Sequence, residues 1–60
     1  MYSIEKAQNF ISELAQERGV PVPPVPLHGI DELQNTDART IEDILTGRFE
    51  RALQTAAPVS

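Results

Sequence analysis

The sequence contains no cysteine, no tryptophan and only one histidine in 60 residues, which excludes a disulfide framework and a zinc site closed by the chain's own Cys and His ligands. Glycine is scarce, at three residues, and none of the three sits in a glycine-rich phosphate-binding pattern. No apolar run approaches the roughly 20 residues that a membrane-spanning helix needs. The opening residues Met1-Tyr2-Ser3-Ile4-Glu5-Lys6 have neither the basic stretch nor the apolar stretch of an export signal, so a cytoplasmic chain is expected. Basic side chains number five against nine acids, a net charge of −4, which opposes the phosphate neutralisation that tight nucleic-acid binding requires.

Apolar residues are present in useful number. Ile, Leu, Val and Phe make up 16 of the 60 residues, enough to build a core and more than a disordered tail carries. A chain of this size buries only about 60% of its unfolded surface, and the gain from burial then roughly matches the cost of ordering the chain. Without disulfides or a metal, further support is expected from a partner, from self-association or from close helix packing.

Local signals divide the single domain, residues 1–60, into segments. The spacing of Ile4, Ala7, Ile11 and Leu14, widened by Phe10 and Ala15, predicts a helix over about 4–18. Ser3 is placed to cap its start, Glu5 and Arg18 complement its dipole, and Gly19 suits the left-handed position that ends it. Residues 20–26, Val20-Pro21-Val22-Pro23-Pro24-Val25-Pro26, hold four prolines in seven positions, which bars a helix and predicts a polyproline II linker. That linker is long enough to turn at Gly19 and run back along the first helix, with Val22 and Val25 facing Ile11 and Leu14. Residues 27–37 are expected as a loop with a helical turn near Ile30 to Gln34.

A second helix is predicted over about 38–56, where Ile41, Ile44, Leu45, Phe49, Ala52, Leu53 and Ala56 recur at helical spacing. Thr40-Ile41-Glu42-Asp43 has a capping-box pattern, while Thr36 or Asp37 suits an earlier start. Gly47 interrupts this helix at a cost of about 1 kcal/mol relative to Ala, which points to a bend or to close approach of another backbone. Pro58 is expected to close it. The fold class is thus all-α: a two-helix hairpin, with a possible third short helical turn, joined by a proline-rich segment and completed by self-association or a partner.

Several patterns invite functional readings. Arg18-Gly19-Val20-Pro21-Val22-Pro23-Pro24 matches the basic-plus-proline pattern bound by Src-homology-3 domains, yet any proline-dense stretch after a basic helix end produces it, so a structural strap is the preferred reading. His28 lies near Asp31 and Glu32, but one imidazole without a second nitrogen or sulfur ligand makes a poor metal site, and a solvated loop histidine is preferred. No catalytic residues, no cofactor and no small-molecule substrate are expected, since the chain has no Cys nucleophile and too small a core for a roomy pocket. The acids Asp31, Glu32, Asp37, Glu42 and Asp43 outnumber Arg39 in the middle of the chain, a pattern that suits a basic partner or an ordinary solvated surface.

The apolar stripe of the second helix carries the functional expectation. It offers more hydrophobic face than one helix and a proline strap are expected to cover, so partner binding is assigned to Ile41, Ile44, Leu45, Phe49 and Leu53 as anchors, with Arg48 and Arg51 setting register. Arg48 would snorkel to water or pair across an interface with Glu42 or Glu50. The expected function is a small acidic non-enzymatic interaction module, acting as adaptor, assembly factor or inhibitor on a protein partner or as a homo-oligomer, most simply a dimer. The alternative is a small nucleic-acid-binding transcription regulator using Arg39, Arg48 and Arg51, or an acidic inhibitor of a nucleic-acid-binding protein.

Overall fold

Two capping devices set the limits of the first helix. In the computed structural model, which describes residues 2–33 and 35–56, helix α1 spans Ile4–Arg18, and the Lys6 backbone N–H donates to Ser3 Oγ at 3.2 Å. At the other end Gly19 takes φ 66° and ψ 33°, its N–H donating to the Gln16 carbonyl at 3.2 Å while Val20 N–H donates to Ala15 at 3.0 Å. These two bonds form a Schellman motif, for which a residue without a Cβ penalty at positive φ is required.

Helix α2 spans Ala38–Ala56. It starts ahead of the capping-box pattern, at the earlier site: Ile41 N–H donates to the Asp37 carbonyl at 3.2 Å, and the Thr40 hydroxyl donates to Asp37 Oδ1 at 2.8 Å. The Asp37 carboxyl is held below its ordinary range chiefly by that hydroxyl, against an opposing desolvation, with the Thr40 and Asp37 backbone N–H groups assisting. Between the helices, Gly29 at φ 84° leads into a 3₁₀ turn, Ile30–Glu32. No strand occurs among the described residues. The expected roles of Gln34 and Pro58, and of the Ala56 side chain, fall outside what is described.

The core joins all three helical segments. Ala7, Ile11 and Ala15 of α1, Ile30 of the 3₁₀ turn, and Ile41, Leu45 and Phe49 of α2 form one buried cluster. Small residues of α1 alternate with Ile11, leaving room for the larger side chains of α2, among which Ile41, Leu45 and Phe49 are fully buried. Tyr2, Leu27, Leu33, Val20, Val25 and Leu53 are half-buried against this cluster. The helix stripe is therefore covered within the chain: among the described residues Val22, at 56% exposure, is the only large hydrophobic side chain left open. The expectation of an uncovered surplus counted only one helix and the strap, and missed the cover supplied by Ile30, Leu27 and Leu33.

Two long-range contacts define how the helices are related. Tyr2, just ahead of α1, donates from its hydroxyl to Glu42 Oε2 at 3.3 Å in the early part of α2, and Arg18 at the end of α1 meets Glu50 Oε2 at 3.0 Å further along α2. The two contacts follow the same order along both segments, and the reversed order of a hairpin is not seen in them. Residues 21–27, which have no regular secondary structure, pass beside Gln8, Ile11 and Ser12 of α1. Within that segment Pro23 is buried and Val22 is exposed, contrary to the expected inward pairing of Val22 with Val25. A proline ring buries apolar surface without an N–H that needs a partner, which favours it at a covered position in backbone that lacks regular hydrogen bonding.

Candidate interaction surface

Because α2 buries one side, its seven expected contact residues separate into distinct environments. Ile41, Leu45 and Phe49 lie at 0% exposure beneath α1 and Ile30, so no partner reaches them while the fold is closed. Leu53 is half-buried against the same cluster. Ile44 is half-buried and Arg51 is exposed. Only Ile44, Arg48 and Arg51 of the seven border the outward depression of α2, about 490 Å³ and open to solvent, which also includes Asp43, Gly47 and Gln54.

Arg48 has a role that side-chain periodicity gave no means of finding. Its Nη1 donates to the carbonyl of Pro26 at 2.9 Å and to that of His28 at 3.0 Å, in place of the expected pairing with Glu42 or Glu50. Proline-rich backbone leaves carbonyls without regular partners, and a guanidinium supplies several donors in a fixed fork, so one side chain of α2 ties down the end of the proline-rich segment. The His28 side chain itself is exposed. Among the described residues no group of three or more His, Asp or Glu side chains is arranged to hold a metal ion.

Glu50, which borders the same depression, is engaged by α1. Arg18 pairs with it at 3.0 Å and at the same time places its guanidinium carbon 5.6 Å from the centre of the Phe49 ring. The two side chains of the ion pair are 43% and 55% exposed, so solvent screening leaves the pair worth no more than about 1 kcal/mol. The stacking over the face of the Phe49 ring adds about 0.5–1 kcal/mol at such a site. Arg18 in the sequence reads as a charge suited to a helix end and as the basic residue of the proline pattern, and nothing local reveals its contact across the fold.

At the other end of the helix pair, burial beside Glu42 pushes the Tyr2 hydroxyl up from its ordinary 10.0 to about 12, with the Glu42 charge and hydrogen bond contributing next and Glu13 last. The proline-rich pattern is likewise constrained by the fold. Pro21 and Pro24 are exposed while Pro23 is buried and Arg18 is paired, so the basic-plus-proline pattern is not presented as a free ligand.

The middle of the outward side of α2 takes no part in these internal contacts. Asp43 and Arg51 are exposed and belong to no ion pair among the described residues. A Cβ built at Gly47 meets no atom within 4 Å, so neither close packing inside the chain nor positive φ accounts for glycine at this position. None of the described helices is long and apolar enough to cross a membrane. Compared with protein-family models, with curated proteins and with solved structures, the chain matches none.

Proposed function

We propose that this chain is a small acidic, non-enzymatic helical module that acts by binding a protein, as adaptor, assembly factor or inhibitor, through the outward side of α2. The proline-rich segment, in polyproline II form, serves as an internal brace for this surface. The observation that carries the reading is Gly47: it sits in mid-helix, costs about 1 kcal/mol relative to Ala, and has only open space above its Cβ position. Flanking it are Ile44, half-buried, and two opposite charges, Asp43 and Arg51, both exposed, a mix of apolar contact and charge typical of a modest recognition surface. The nucleic-acid reading requires Arg39, Arg48 and Arg51 to face phosphate together, and it is weakened by the engagement of Arg48 with Pro26 and His28.

A photoreactive phenylalanine analogue at Gln54, expressed in the cells of origin, tests the proposal. A discrete cross-linked protein is expected, lost in Arg51→Glu and Ile44→Asp but retained in Glu5→Gln, with the far-ultraviolet circular dichroism of all variants unchanged. Absence of any cross-linked protein, or salt-dependent retention on heparin together with a DNA mobility shift, would overturn it.

A further inference from the structure

We infer that the occupant of the outward side of α2 is a second copy of this chain, its α2 lying antiparallel across Gly47. The inference deepens the function proposed above and rests on it. At about 100° per residue, Gly47 points directly away from the stripe of Leu45 and Phe49, and Thr40, Asp43, Arg51 and Gln54 share its side. All four are exposed.

Their placement is symmetric about the glycine. Asp43 lies four residues before Gly47 and Arg51 four after, while Thr40 and Gln54 lie seven before and seven after. An antiparallel copy related by a two-fold axis through Gly47 brings Asp43 opposite Arg51 of the second copy, and Arg51 opposite Asp43 of that copy. Thr40 and Gln54 meet in the same reciprocal way, the Thr40 oxygen, whose proton goes to Asp37, accepting from the Gln54 amide. A closed two-fold interface demands this self-complementarity, since one patch supplies both halves. Within one chain Asp43 and Arg51 are separated by about 12 Å along the helix, at about 1.5 Å per residue, too far to pair. A parallel second helix in register sets Asp43 against Asp43, so the charge pattern selects the antiparallel arrangement.

Glycine at the crossing point supplies the geometry. Interaxial distance between packed helices depends on the side chains at the contact, and the open space above Gly47 lets the two backbones approach closely there. Ile44, half-buried in the chain, then packs along the stem of Glu50 of the second copy. The patch is one helix wide and mostly polar, so the dimer is weak, concentration-dependent and sensitive to salt.

Sedimentation equilibrium of the full chain from about 10 µM to about 2 mM tests this by mass action. The mass is expected to rise toward twice 6.6 kDa, and less steeply at high salt. Asp43→Arg and Arg51→Asp alone are each expected to weaken association about tenfold, since each sets two like-charge pairs face to face. The double variant Asp43→Arg with Arg51→Asp restores opposite charges and is expected to recover association. Gly47→Leu is expected to abolish it without lowering the melting midpoint of dilute protein, which separates association from folding. A mass that stays monomeric throughout, a double reversal no better than the single ones, or a Gly47→Leu variant that associates normally would overturn the inference. If the chain stays monomeric and Gln54 still cross-links to a different protein, only the second copy is excluded and the module reading stands; if nothing is cross-linked, both fall.

Discussion

The inward and outward sides of α2 are built from one continuous helix under opposite constraints. Inward, Ile41, Leu45 and Phe49 are fully buried, and each is held by the shapes of Ala7, Ile11, Ala15 and Ile30 around it. Outward, Gly47 touches nothing that would resist a side chain, and the Asp43 and Arg51 charges have no ion-pair partner among the described residues. The apolar pattern of α2 therefore marks the core and not an open surface. With little interior available, the strongest apolar stripe is needed to make the fold, and the outward side of α2 takes no part in the core.

Changes on the two sides should differ in size and in sign. Phe49→Ala removes a fully buried ring and is expected to cost about 3–5 kcal/mol, enough to unfold most of a chain this small, as loss of helical circular dichroism will show. A thermal melt within a few degrees of the parent would mean that α1 and α2 do not depend on this contact. Arg48→Ala, at the border between the sides, removes two hydrogen bonds to Pro26 and His28 and is expected to cost about 1–2 kcal/mol. Arg51→Ala, one helical step further out, should stay within about 0.5 kcal/mol, and equal effects in urea denaturation would erase the distinction drawn between these two arginines. Gly47→Ala is expected to stabilise dilute protein by about 0.5–1 kcal/mol through helix propensity alone. A destabilised Gly47→Ala would reveal a constraint on the inward packing.

The pH-dependent effect concerns the tether between the helices. The folded state raises the Tyr2 hydroxyl from 10.0 to about 12, so the unfolded chain loses this proton first as the solution becomes alkaline. Its contribution is fully present below about pH 10 and declines as pH rises from 10 toward 12. Tyr2→Phe should flatten that part of the stability profile, measured by urea titration at several alkaline pH values; an unchanged decline would assign it to other groups.

The helix limits were legible because their determinants are local. Ser3 caps α1 through Lys6, Gly19 ends it at positive φ, and Asp37 with Thr40 starts α2; all act within a few residues in sequence. The buried identity of Ile30 was not legible, since one apolar residue in a polar loop has no period to betray it. Nor was the place of Arg18, whose partner Glu50 lies 32 positions away. The candidate surface was legible only in part: Ile44, Arg48 and Arg51 border the outward depression, whereas Ile41, Leu45 and Phe49 share the same helical pattern and lie in the core.

By itself the sequence determined two capped helices, the proline-rich stretch that cannot join either, and an acidic chain with neither cysteine nor a ligand set for zinc. These follow from backbone sterics, capping and composition, which operate at short range. The tertiary structure decided the order of contacts between the two helical segments, the burial of Pro23 in place of Val22 and the pairing of Arg18 with Glu50. It also decided that the apolar side of α2 faces its own chain. Those outcomes depend on which surfaces meet once the proline-rich segment brings distant residues together, and steric fit and exclusion of water settle them only in the assembled core.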